Sequence, residues 1–177
     1  MNREPAETSH EKVAQAYFHH IRDLRSGKSG AVEQLLDLWD EDGTFEFAGS
    51  PPVTGTFQGR NALQAFYKNR LQSQRMTVKL ESAPKGHEVA LQVVDSEPQR
   101  IKADGDTVVA HWTTVVGTQD GRGFQVAGTH TFSFRNGRIS GLKVIVSPRP
   151  EKAEKLKFEG LTVDDIGRLS LAAWAIV

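Results

Sequence analysis

Two histidines, His111 and His130, stand near the ends of the segment AHWTTVVGTQDGRGFQVAGTH, with Asp120 and Gly121 between them. An Asp-Gly pair between alternating apolar residues is a strong hairpin signal. A two- or four-residue loop centred on the Asp120-Gly121 bond sets His111 directly opposite His130, on one face, with Cβ atoms roughly 5 Å apart. A one-residue bulge would send the two to opposite faces. Along HTFSFR, His130 shares its side with Phe132 and Phe134, while Thr131, Ser133 and Arg135 occupy the other. The phenylalanine side is expected to be interior, so both imidazoles are expected to point inward. Such a pair can take and give protons near neutral pH. The plainer alternative is two buried histidines that each satisfy a neighbour and do no chemistry.

Other uses of these residues fit less well. Two imidazoles are too few for a metal without a third ligand on the same face. Glu46 alternates with Phe45 and Phe47 and is expected to point outward, so no metal and no organic cofactor are expected. The chain has no cysteine and no Gly-x-Ser-x-Gly elbow, which argues against nucleophilic hydrolysis. The glycine-rich GSPPVTGTFQGR lacks the lysine and the strand-to-helix context of a phosphate loop. His19 and His20 are adjacent and about 100° apart on a helix, so they cannot share a site. His19 is expected in solvent and His20 beside Tyr17.

The elements that must position these groups divide into helices first and strands after. Val13, Tyr17, His20 and Leu24, with Ala14, Phe18 and Ile21, make one helical face. Val32, Leu35, Leu36 and Trp39 make a second, stopped by DEDG. TFEFAG reads as a strand, SPPVTGTFQG as an irregular connection, and RNALQAFYKNRLQ as a third helix burying Leu63, Phe66, Tyr67 and Leu71. From Met76 the pattern is of strands: MTVKLES, EVALQVV, RIKAD, the long strand ending at Gln119, GFQVAGTHTFSFR and RISGLKVIVS, with turns at Asp104-Gly105 and Asn136-Gly137. This order predicts an α+β fold with helices on one face of a curved antiparallel sheet. On the last strand Leu142, Val144 and Val146 alternate with Lys143, Ile145 and Ser147, so the first set is expected inside. That alternation favours a three-residue turn with a bulge, pairing His130 with Leu142. A plain two-residue turn would pair it with Lys143.

The 177 residues suffice for one domain with a substantial core, read as 1–150, followed by a charged and then apolar extension, 151–177. In that extension Thr162 and Asp165 fit a capping box. Lys plus Arg and Asp plus Glu number 22 each, giving no net charge and arguing against nucleic acid as a partner. No apolar run approaches the roughly 20 residues that span a bilayer. The polar opening MNREPAETSHEK lacks a signal-peptide core, so a cytoplasmic protein without a membrane partner is expected.

Two strings, LWDEDGTFEFAGSPPVTGTFQGRNALQAFYKNRL and VAGTHTFSFRNGRISGLKV, resemble the SnoaL-like branch of the nuclear transport factor 2-like superfamily, over roughly residues 10 to 147. The resemblance implies a cone-shaped, strongly bent antiparallel sheet packed on about three N-terminal helices and enclosing a cavity, commonly in a homodimer. The superfamily includes ketosteroid isomerases, polyketide cyclases, dehydratases, epoxide hydrolases and non-enzymatic binders, so fold alone does not decide the chemistry. Against the ketosteroid isomerases, His130 falls where those enzymes carry a protonated Asp that donates to the oxyanion, and Tyr17 near their oxyanion-binding tyrosine. The position of their catalytic base holds Phe47, and an apolar ring cannot remove a proton. His111 is the replacement base that the hairpin suggests. Phe45, Phe47, Phe66, Val126, Phe132, Leu142 and Val144 are expected to wall a cavity suited to a small hydrophobic molecule with one or two polar atoms. The function implied is cofactor-independent proton transfer on a hydrophobic carbonyl compound, of the isomerase, cyclase or dehydratase type. The alternative is a non-catalytic module that binds a hydrophobic ligand. Trp112, with Thr114 and Val116, is expected on the opposite, outer face beside Ala127 and Thr129, as a homodimer contact.

Overall fold

A computed structural model describes residues 9–47, 55–72, 75–79, 88–118 and 123–146. The expected extension and its capping box, residues 151–177, and the Asp120-Gly121 turn itself lie outside them.

Three helices precede most of the sheet. Helix α1 (Ser9–Arg25) buries Ala14, Tyr17, Ile21 and Leu24, the stripe that its 3.6-residue period dictates. Glu11 in its first turn and Arg22 and Arg25 in its last complement the helix dipole. Glu11 also accepts the Ala103 backbone N–H through Oε1 at 2.8 Å, fixing the start of the helix to the sheet. Helix α2 (Ala31–Leu36) buries Ala31, Val32, Leu35 and Leu36. Trp39 is buried as the pattern requires, but not on this helix. It opens β1 (Trp39–Phe47). The physical reason is sheet pairing: Trp39 pairs with Ile139, and the Leu38 carbonyl accepts the Ile139 N–H at 2.8 Å. That pairing takes the backbone groups a longer helix would have used. Helix α3 (Arg60–Gln72) spans the expected segment and buries Leu63 and Tyr67.

The sheet has seven strands: β1, β2 (Gly55–Gln58), β3 (Arg75–Lys79), β4 (Glu88–Asp104), β5 (Thr107–Thr118), β6 (Gly123–Arg135) and β7 (Arg138–Val146). Their order is β2-β1-β7-β6-β5-β4-β3. All neighbours are antiparallel except β1 and β7, which run parallel, so the sheet is mixed rather than wholly antiparallel. The chain order explains this. The β3–β7 meander brings the last strand beside the first, and three helices pack on one face of the open sheet. The presumed irregular connection supplies β2, and EVALQVV and RIKAD are one strand through Pro98.

Asn136 and Gly137 form a two-residue turn with φ of 52° and 75°, the geometry that an Asn-Gly hairpin needs. Arg135 then pairs with Arg138. The expected bulge exists, but as an extra residue on β7 rather than in the turn: Phe134 pairs with Ile139, and Ser133 pairs with Gly141. His130 therefore lies opposite Val144, not Leu142. Both registers keep the same residues inside, and Leu142 and Val144 are buried while Ile145 is 46% exposed. The core between helices and sheet is strongly aromatic. Phe45 is surrounded by Trp39, Phe57, Phe66 and Tyr67, and Phe132 packs on Tyr17 and Phe18.

Candidate active site

The proposed histidine pair does not form. Gly117 pairs with Gly123, leaving an odd number of residues between them, so the hairpin's centre falls on residue 120 instead of on the Asp120-Gly121 bond. His111 consequently pairs with Thr129, and His130 with Ala110. Neighbours along a strand face opposite ways, so this single-residue shift puts the two imidazoles on opposite sides of the sheet. His111 is exposed on the outer side, its Nδ1 3.3 Å from the Thr129 hydroxyl. It lines a surface hollow of about 470 Å³ with Arg100, Lys102, Asp104 and Val109. It cannot act as base to a group bound at His130.

The same shift reverses the expectation for Trp112. It faces the helices, is 3% exposed, and pairs with Gly128. It is not a surface contact for a second copy. Its ring lies across the strand position that Gly128 leaves empty, where an added Cβ would overlap the indole. From there the indole Nε1–H donates to His130 Nδ1 at 2.6 Å.

His130 is half-buried on the inner face. The ring of Tyr17, delivered by α1, lies 5.9 Å away between centroids, Phe18 lies at 5.1 Å, Trp112 at 5.7 Å and Phe132 at 6.0 Å. Tyr17 is 1% exposed, and its hydroxyl accepts the Tyr67 O–H at 3.3 Å. The structure thus brings together Tyr17 and His130 as the sequence suggests, and adds Trp112 and Tyr67, whose polar ends the sequence did not assign. A signal for Trp112 was present in its own strand. Val108, Ala110 and Trp112 alternate with Thr107, Val109 and His111, which favours Trp112 inside and His111 outside.

Of the residues expected to wall a cavity, Phe45, Phe132, Leu142 and Val144 are buried on the inner side and Phe66 is half-buried against Phe45 and Phe57. The side chains of Phe47 and Val126 lie outside the described residues. Glu46 is on the outer face as expected, 3.9 Å from Lys143. His19 is exposed, and His20 is half-buried. Burial and the neighbouring His19 hold His20 below its ordinary pKa. Asp23 opposes this, its carboxylate lying 3.8 Å from Nδ1, beyond hydrogen-bond reach. Among the described residues no helix is long and apolar enough to cross a membrane.

This arrangement of three helices packed on a mixed sheet is that of the nuclear transport factor 2-like superfamily. The chain belongs to its SnoaL-like domain family, whose sequence profile matches residues 14–142. Among solved structures, it is similar to a Bacillus subtilis protein provisionally called an isomerase, at 16% identity, covering 80% of this chain and 91% of that one with a TM-score of 0.56. An NTF2-like protein from Anabaena variabilis gives 17% identity, coverage of 85% and 98%, and a TM-score of 0.56. An LEH-like epoxide hydrolase from M. tuberculosis gives 15% identity, coverage of 97% and 98%, and a TM-score of 0.53. At such identities the likeness is one of fold. A comparison with curated protein sequences finds no match.

Proposed function

We propose that this protein catalyses cofactor-independent proton transfer, of the isomerase, cyclase or dehydratase type, on a small hydrophobic carbonyl compound. The observation that carries this reading is the convergence of Tyr17 and His130 on the inner face, within a wall of Phe18, Trp112 and Phe132. A hydrogen-bond donor in such an apolar, water-poor setting stabilises negative charge on a substrate oxygen far better than it would in water. His130 is the more accessible of the pair and is the group in contact with that oxygen. Tyr17, backed by Tyr67, lies behind it. The proton taken from the substrate carbon passes to solvent or buffer base while His130 holds the oxygen, and it returns from solvent. His111 is on the wrong face, and none of the four rings packed on His130 takes a proton at neutral pH.

The second reading, a non-catalytic binding module for the same class of ligand, draws on the same apolar wall and on the displacement of His111. In either reading residues 1–150 form the working domain. The test uses 2-tetralone, a compact apolar ketone, in D2O with NMR detection of deuterium entering beside the carbonyl. The protein is expected to accelerate exchange, and His130→Ala, verified as folded by circular dichroism, to lose roughly 100-fold of that acceleration. Equal exchange by the variant and the parent protein would remove His130 from the chemistry. Saturable binding of the ketone without exchange would favour the binding module.

A further inference from the structure

We infer that Trp112 is a positioning residue that fixes His130 as a neutral imidazole with its proton on Nε2, and so makes it a hydrogen-bond donor to uncharged carbonyl or enolate oxygen rather than a base or a carboxylate-binding cation. The inference rests on the proposed function for its catalytic meaning, but not for its structural content.

The indole nitrogen has one hydrogen and no available lone pair, so it can only donate. His130 Nδ1, 2.6 Å from it, must therefore be the acceptor and carry no proton. A neutral imidazole with a bare Nδ1 has its proton on Nε2. A cationic ring would set one N–H against another, and a flipped ring would set a carbon against the indole N–H. Both lose the bond and leave a buried donor unsatisfied, which costs about 1–3 kcal/mol. Trp112 has little freedom to give way, because it is 3% exposed and lies flat on Gly128. The sequence arranges this diagonally. Trp112 sits opposite Gly128, and His130 follows two positions along the same face. Only a residue without a Cβ at 128 lets the indole lie low enough to reach it.

The consequence is chemical. An imidazolium at this position would favour anionic carboxylate ligands, whereas a neutral Nε2–H discriminates little by charge and strengthens as negative charge grows on a carbonyl oxygen. That is the behaviour an oxyanion donor needs. Such a donor suits compounds whose reacting oxygen is uncharged in the ground state and gains charge in the transition state.

The test needs no substrate and so stands apart from the exchange assay. Protein labelled with ¹⁵N in histidine and tryptophan is examined at pH 7 by long-range ¹H–¹⁵N correlation. The expected result is a pyridine-type Nδ1 and a pyrrole-type Nε2 for His130, with a scalar coupling across the hydrogen bond to Trp112 Nε1. In Trp112→Phe the coupling is lost, and the two His130 nitrogens move toward averaged shifts. A protonated Nδ1 in the parent protein, or unchanged His130 shifts in the variant, would overturn the inference. The parent spectrum decides the matter even if Trp112→Phe fails to fold. A correct tautomer without tetralone exchange would sink the proposed function and leave this inference standing.

Discussion

Replacing Gly128 with alanine tests the inner face of the sheet directly. The added Cβ would overlap Trp112 Cζ2, stand 2.6 Å from Cε2, and stand 2.9 Å from the Ile145 carbonyl oxygen. Comfortable carbon contacts are about 3.5–4.0 Å, so the indole must rise by on the order of 1 Å. The Ile145 oxygen belongs to a paired backbone and cannot yield instead. Overpacking of this kind costs roughly 1–3 kcal/mol, and losing the buried Nε1–H bond to His130 roughly 1–3 kcal/mol more. Reduced freedom of the unfolded chain returns about 0.4–1 kcal/mol. The net expectation is a loss of about 3 kcal/mol, which for a domain of this size lowers the melting temperature by roughly 6–12 °C. Differential scanning calorimetry reads the shift, and the Trp112 indole N–H resonance reports its cause. Gly137→Ala is the control. Its φ of 75° strains alanine by about 1–2 kcal/mol, but no atom lies within 4 Å of the new Cβ, so the indole signal stays where it is. If Trp112 is the main obstacle, the Gly128→Ala penalty shrinks in a Trp112→Ala background to the part owed to the Ile145 oxygen. A Gly128→Ala protein melting within about 2 °C of the parent, with an unshifted indole, would refute the reasoning.

Two pH responses follow from the charges. Arg135, which grips Asp40 through Nε at 3.0 Å and a second guanidinium nitrogen, holds the carboxyl down at about 2 against an ordinary 3.8. A lowered carboxylate stabilises the fold above the unfolded pKa and loses that contribution as pH falls from about 3.8 to about 2. The Asp40 carboxyl is expected to titrate higher in Arg135→Met, while the Asp42 backbone N–H at 3.2 Å still holds it below its ordinary value, as followed by carbon-detected NMR, and an unmoved midpoint would dismiss the ion pair. His20 behaves in the opposite sense to a salt-bridged histidine: burial lowers its pKa below 6.5, so the unfolded chain takes up the proton first and acidification below about 6.5 destabilises the fold. Urea midpoints at pH 7.5 and 5.5 are expected to differ less in His20→Gln than in the parent. An equal difference would show that His20 charges freely in the folded protein.

What the sequence determined is whatever depends on periodicity within one element. The stripe of α1, the extent of α3, the Asn136-Gly137 turn and the alternation of Leu142 and Val144 all follow from side chains recurring at 3.6 or 2 residues, and the aromatic core follows from them. The family likeness rests on the same order of elements, and the expectation that Tyr17 and His130 share a site comes from it. What only the tertiary structure decided is register and partnership between elements. A hairpin's face assignment depends on whether its loop holds an odd or even number of residues, and one residue here exchanged the roles of His111 and Trp112. The tryptophan expected at a dimer surface became the partner of the catalytic candidate, and the histidine expected as its base went to the outer hollow. Trp39 was lost to its helix for the same reason: hydrogen bonds to β7, far along the chain, outcompeted the local helical pattern. Periodicity records which residues need burial, but only the pairing of strands distant in sequence fixes which polar atoms meet there.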